Sequence, residues 1–216
     1  MRVVAGLALT AMLSACAAPN SVNSIRPGMP VLAADLAQNR LAQDSDVIAA
    51  LGQTAAPEAI LFAPGPVDAK SWLSGQEPFP DTAWQGHLVA VSCDGLMGAV
   101  TGAITWEDYP GYYTTIWRYD ADAEGSYGQW RWTLSHGDGL DEPRPAPQIP
   151  LNLVASCENL PAVAELTEQF GQSPDGSLRY RWNYSAEAGR MLTVEIWDGA
   201  AFKTVIEDTV PTGQAE

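Results

Sequence analysis

Between His87 and His136 the chain carries four successive stretches rich in β-branched and aromatic side chains, separated by turn-forming residues. No other feature leaves fewer folds open. His87 to Cys93 reads as one strand, Asp94-Gly95 as a two-residue hairpin signal, and Leu96 to Trp106 as the partner strand. Gly111 to Tyr119 is a third strand, Asp120 to Ser126 an acidic, glycine-containing turn, and Tyr127 to His136 a fourth, ended by Gly137-Asp138-Gly139. Connections this short force antiparallel pairing.

Helical periodicity precedes this β region. From Pro30 to Gln43, Ala33, Ala37 and Leu41 repeat at i, i+4 beside Leu32 and Leu36, and Pro30 suits a first-turn position. Asp44-Ser45-Asp46 interrupts, and Ser45 or Asp46 is placed to cap a second helix carrying Val47, Ile48 and Leu51, which Pro57 ends. Ala59 to Ala63 fits a short buried strand stopped by Pro64-Gly65-Pro66, and Asp68 is a cap for a third helix through Ala69, Trp72 and Leu73. Helices followed by a meander predict an α+β domain. The lack of a glycine-rich loop between a strand and a helix argues against a nucleotide-binding α/β fold.

At 216 residues, the chain has room for one sizeable domain with an appendage. A hydrophobic fraction of 46% argues against disorder for the bulk of it. A formal charge of −15 argues against nucleic acid as a partner, since such a surface does not neutralise phosphates. Residues 143–216 open on a proline-rich link (Pro143, Pro145, Pro147, Pro150) and continue with strand patterns at Leu178 to Tyr184, Met191 to Trp197 and Phe202 to Ile206. Too little apolar material lies there for an independent domain, so it reads as a β extension packed on residues 30–142.

The first residues give an address. Met1-Arg2 is followed by an apolar run from Val3 to Leu13, the length of a secretory signal core and too short to span a bilayer as a helix. Leu13-Ser14-Ala15-Cys16 then resembles the lipobox of bacterial lipoproteins. The resemblance implies removal of residues 1–15, lipidation of Cys16, a membrane partner through that anchor, and a position in the bacterial envelope facing the periplasm. Ala17 in place of Asp after the cysteine favours the outer membrane on the same resemblance. Residues 16–29 read as a lipidated tether. With Cys16 assigned to lipid, Cys93 and Cys157 remain in an oxidising compartment and are expected to form a disulfide.

A second resemblance covers roughly residues 30–142. Pro57-Glu58-Ala59-Ile60-Leu61-Phe62, Gly111-Tyr112-Tyr113-Thr114-Thr115-Ile116-Trp117 and Gln129-Trp130-Arg131-Trp132-Thr133-Leu134-Ser135-His136-Gly137-Asp138 resemble segments of the nuclear transport factor 2-like superfamily, in particular its SnoaL-like and ketosteroid-isomerase-like group. That implies a conical fold in which helices close on a curved antiparallel sheet. Because this fold hosts isomerases, dehydratases, cyclases and non-catalytic binders, it does not choose an activity.

Strict alternation in the last strand puts Trp130, Trp132, Leu134 and His136 on one face, expected to be the concave one, and Arg131, Thr133 and Ser135 on the other. In the preceding strand, Tyr113, Thr115 and Trp117 share a face. These residues are the candidate lining for a small apolar ligand. His136 is the sharpest candidate for an acid or base, with Asp138 to set its tautomer, and Asp35 on the first helix is a further catalytic candidate. Two histidines and scattered carboxylates lack metal-ligand spacing, so no metal or cofactor is expected. A homodimer remains open. Two functional classes therefore compete: a non-catalytic envelope binder of a small apolar ligand or a partner, and a lyase or isomerase using His136. An open cavity in which His136 and a second polar group converge would favour the enzyme. A cone filled by Trp117, Trp130 and Trp132 would favour the binder.

Overall fold

The computed structural model describes residues 28–78, 82–122 and 128–212. The apolar run, the lipobox and Cys16 lie outside the described residues. Helix α1 (Met29–Asp44) begins after Gly28, whose φ of 91° is the left-handed conformation that glycine adopts without strain. Asp46 caps α2 (Val47–Thr54) by accepting from the Ala49 amide at 2.8 Å, and Asp68 caps α3 (Ala69–Leu73) by accepting from the Ser71 amide at 2.8 Å. Strand β1 (Ala55–Phe62) follows α2 directly and takes Pro57 within it, and β2 (Pro66–Asp68) pairs with it.

The predicted meander is β3 (Thr82–Val91), β4 (Met97–Trp106), β5 (Tyr109–Asp120) and β6 (Gln129–Gly139), each antiparallel to the next. Strand β1 lies parallel to β6, and β7 (Leu151–Val154), which the sequence pattern did not indicate, lies parallel to β3. The first sheet therefore runs β2-β1-β6-β5-β4-β3-β7. Strands β8 (Phe170–Gln172), β9 (Leu178–Ser185), β10 (Gly189–Trp197) and β11 (Phe202–Val210) form a second sheet in the order β11-β10-β9-β8. The architecture is mixed α+β. Among the described residues no helix is long and apolar enough to cross a membrane.

Two cores lie on opposite faces of the first sheet. Val31, Leu73, Trp84, Val100, Trp117 and Trp132 are buried under the helices. Ile116, Leu134, Leu178, Trp182, Leu192 and Val194 are buried on the opposite face, where the second sheet packs. The strict alternation expected for β6 is interrupted between them. Trp117 pairs with Trp132 and Ile116 with Leu134, so Thr133 is one residue too many on β6, a β-bulge. Trp132 stays on the helix face, and Leu134 and His136 turn to the other. The expectation that Leu134 and His136 share the concave face with Trp132 is thereby corrected: one inserted residue reverses every side chain after it.

The sheets are fastened at one end by two loops of the same design. Between β3 and β4, the Ser92 hydroxyl donates to the Asp94 carboxylate and Gly95 has φ 70°; between β8 and β9, Ser173, Asp175 and Gly176 repeat the pattern with φ 74°. The loops clasp each other: the Asp94 amide donates to Asp175 Oδ2 at 2.8 Å and the Asp175 amide to Asp94 Oδ2 at 3.2 Å. The Asp94-Gly95 turn is thus a longer loop than the two-residue hairpin expected, because Asp94 serves this second contact. Beside it, Cys93 and Cys157 form the expected disulfide, with Cα atoms 5.2 Å apart.

With a sequence separation of 64, this bridge is worth about 4 kcal/mol in the chain-entropy model. The paired substitution Cys93→Ala and Cys157→Ala is expected to lower the unfolding free energy by that order in urea titrations. An unchanged midpoint would mean that the loop clasp and packing alone hold the second sheet.

Candidate functional site

The helices do not close completely on the concave face of the first sheet. They leave a cavity of about 220 Å³. Its walls are mostly aromatic and aliphatic, with Trp72 from α3, Trp84 from β3, Trp106 from β4, and Ile48 and Leu51 from α2. Gln38, Tyr113, Thr115, Ser135 and His136 are the polar side chains among its lining residues. No lysine, arginine or carboxylate is among these lining residues. The Thr115 and Ser135 hydroxyls lie 3.0 Å apart and bond to each other, while the Gln38 amide donates to the Thr54 hydroxyl at 2.6 Å.

Asp35 joins this cavity through Tyr113. The helical face of α1 that packs on β3 and β4 buries Asp35 beside Val31 and Leu32, leaving it 1% exposed. The Tyr113 hydroxyl donates to Asp35 Oδ2 at 2.7 Å, and Oδ1 has no hydrogen-bond partner. The indole N–H groups of Trp117 and Trp84 favour the ionised carboxyl without completing hydrogen bonds to it. Burial dominates and pushes the Asp35 pKa up to about 7, against the pull of Tyr113, Trp117 and Trp84. Burial and the neighbouring carboxyl in turn raise Tyr113 well above the usual phenol range.

The other sequence candidates separate. Tyr113 and Thr115 line the cavity. Trp117 and Trp132, both 0% exposed, are packed in the helix-side core and do not line the cavity, and the Trp132 indole donates to the Leu51 carbonyl at 3.0 Å. Trp130 sits half-buried against Tyr119, with ring centroids 5.7 Å apart, and does not line the cavity. His136 borders the cavity, but its ring is held on the opposite face of the sheet. Its Nε2 is 3.1 Å from Asp208 Oδ2 on β11, and its Nδ1 accepts from Arg190 Nε at 3.4 Å. A guanidinium can only donate, so the ring proton sits on Nε2 and is given to Asp208. Asp208 also accepts from Thr114 at 2.6 Å, and Arg190 donates to the Gly137 carbonyl. The sequence reading of His136 as an acid or base held by Asp138 changes in its partners: Asp208 and Arg190 engage both ring nitrogens between the sheets. Asp138 does not orient His136. It is in register with Tyr112 and lines a separate hollow with Leu140 and Asp141.

Trp84, Trp106, Gln38 and Ser135 line the cavity but were absent from the sequence candidates. Ser135 was assigned to the wrong face because the bulge at Thr133 leaves no trace in the alternation. Trp84 lay outside the predicted strand, although Thr82, Trp84 and Gly86 continue the period-2 pattern. Among the described residues no three His, Cys, Asp or Glu side chains gather as a metal site needs.

No protein-family model matches the chain, and no curated protein matches it significantly. Among solved structures, a cystatin-like fold protein from Burkholderia xenovorans is similar at 17% identity, covering 56% of this chain and 97% of that one, with a TM-score of 0.42. A candidate ketosteroid isomerase from Parabacteroides distasonis is similar at 15% identity over 56% of this chain and 93% of its own, with a TM-score of 0.41. A DUF3225-family protein of unknown function from Pectobacterium atrosepticum is similar at 14% identity over 57% and 98%, with a TM-score of 0.40.

The raised pKa of Asp35 makes a stability prediction. Folded Asp35 keeps its proton up to about pH 7, whereas an unfolded aspartate releases it near pH 4. Between these limits the folded state binds more protons, so this group's contribution to stability falls as pH rises through the window. The difference is roughly 4 kcal/mol in all. Asp35→Asn should remove that slope, and the variant's stability relative to the unsubstituted protein should rise from about pH 5 to about pH 8 in denaturant titrations. A difference independent of pH would show that Asp35 titrates as an exposed carboxyl.

Proposed function

We propose that this protein is a non-catalytic binder that holds a small, largely apolar molecule in the cone, displayed at the bacterial envelope on a lipid anchor at Cys16. The observation that carries the reading is the cavity itself: indole and aliphatic walls around a few hydroxyl and amide groups, the composition of a small-molecule site. Trp117 and Trp132 belong to the same helix-side core as Trp84 and Tyr113 of the cavity wall and back it with packed aromatic rings. His136, the acid or base that the sequence offered, has its ring nitrogens engaged by Asp208 and Arg190. In this reading, residues 143–216 are an extension whose sheet backs the cone.

A second reading has one observation in its favour. Asp35, with its pKa raised to about 7, is hydrogen-bonded to a tyrosine that lines the cavity, a pairing suited to acid–base chemistry through the phenol. Catalysis by this pair requires a substrate turned over in the cavity and lost with Tyr113→Phe, whereas a binder yields its ligand unchanged.

Native mass spectrometry of the purified protein should reveal a carried small molecule, released unmodified on unfolding. Calorimetry with neutral indole should show saturable binding to the emptied cone. Ser135→Phe, which fills the cavity, should weaken indole more than about tenfold, some 1.4 kcal/mol, with the melting transition retained. Indole binding that Ser135→Phe leaves intact would place the site elsewhere, and absence of both carried molecule and indole binding would overturn the reading. For the anchor, Cys16→Ser should move the protein from the membrane fraction to the soluble fraction. Continued membrane association would refute lipidation at that residue.

A further inference from the structure

We infer that the molecule held in the cone is an organic monocation, an alkylated ammonium whose charge sits against the indole faces and the Tyr113 oxygen. The inference rests on the reading of the cone as a ligand site and adds the chemical class of its occupant. Four kinds of observation converge on it.

The first is the wall. Trp72, Trp84, Trp106 and Tyr113 come from four different elements and enclose one small cavity. Several aromatic side chains around a single space are the composition that recognises quaternary and alkylated ammonium groups, through attraction of the cation to the ring quadrupoles. The second is the polarity of the phenol. Tyr113 gives its hydroxyl proton to Asp35, so its oxygen offers the cavity only lone pairs, while the Thr115–Ser135 hydrogen bond uses one of that pair's two hydroxyl protons. The phenol oxygen is therefore the fixed acceptor of the cavity.

Third, a buried carboxyl stands behind that phenol with one oxygen lacking any hydrogen-bond partner and with no cationic side chain acting on it. The buried Asp208 faces Arg144 at 3.7 Å, and the half-buried Glu195 holds Arg179 and Arg181 at 2.8 and 3.0 Å. Asp35 has no cationic neighbour and lies behind Tyr113, which lines the cavity, so a cation held against the phenol oxygen would supply the missing charge across that one hydrogen bond. The fourth is the field of the whole molecule, with a formal charge of −15, which draws cations and repels anions.

A linkage follows. The groups acting on Asp35 are Tyr113 and Trp117 of β5 and Trp84 of β3, none of which carries charge near neutral pH. A cation in the cone favours the ionised carboxyl, so affinity rises with pH through about pH 7 and binding below that pH releases a proton. A neutral ligand of the same shape shows neither effect.

The test is calorimetry with choline and with 3,3-dimethyl-1-butanol, in which a carbon replaces the cationic nitrogen. At about pH 8, choline should bind at least about tenfold more tightly than its neutral counterpart. That preference should shrink at about pH 5.5, where titrations in buffers of different ionisation enthalpy should reveal proton release. Asp35→Asn should keep the neutral probe, reduce the preference and abolish its pH dependence. Should that variant fold poorly, the pH dependence of the unsubstituted protein carries the same information. Equal affinities, or a preference unaffected by pH, would overturn the cation while leaving the cone as a binding site. Binding of neither probe would also overturn it, and the indole titration then decides separately whether the cone binds anything.

Discussion

One extra residue on β6 divides this molecule into a cavity and a packed interface. Upstream of Thr133, Trp132 points to the helices; downstream, Leu134 and His136 point to the second sheet. Without the bulge the face would carry Leu134 and His136 into the cone, where they would occupy the space that Ser135 and Thr115 leave open. The opposite face would then offer serine where Trp182 and Leu192 now find Leu134. A strand with both faces buried tolerates such a reversal only if each side has a partner suited to it, and here each does. Bulges commonly re-aim side chains next to functional sites, and this one decides which residues the cavity contains.

Two buried carboxyls show how environment sets role. Hydrogen bonds and charges from His136, Thr114 and Arg144 together outweigh the desolvation of Asp208, so that its pKa ends below the usual carboxylate value despite burial. It is an interlock, holding β11 to β5 and β6. Asp35 has a comparable position in the core but receives only one hydrogen bond, and its pKa moves the other way. Fully satisfied polar groups rigidify a core, whereas partly satisfied ones mark places where something else acts. The contrast singles out the cone.

Much of this was legible in the residues. Caps at Asp46 and Asp68, the four meander strands, the strands from Leu178 onward and the cysteine pair are all local signals or follow from few alternatives. What could not be read is what depends on pairing between distant segments. The parallel partners β1 with β6 and β7 with β3 bring together residues far apart in sequence, and β7 is only four residues long. His136 and Asp208 lie 72 residues apart, so no spacing rule connects them, and the nearer Asp138 attracted the assignment instead. The bulge is of the same kind: it is set by what Leu134 meets across the interface, not by anything written at Thr133.

The second sheet matters to the cone because β5 is shared. From Gly111 to Trp117 every residue of that strand is buried, with Tyr113, Thr115 and Trp117 toward the helices and Tyr112, Thr114 and Ile116 toward the second sheet. Thr114 is bonded to Asp208 while its neighbours Tyr113 and Thr115 line the cavity, so a shift of β5 that reshaped the cone would break a buried charged hydrogen bond on the other side. The disulfide and the Asp94–Asp175 clasp resist sliding of the same two sheets at the far end of β3 and β4. A cavity walled by rings gains its selectivity from their fixed spacing, and rigid backing spares the ligand the cost of ordering them. The architecture behind the cone is thus part of the site, although none of it touches the space in which a ligand would lie.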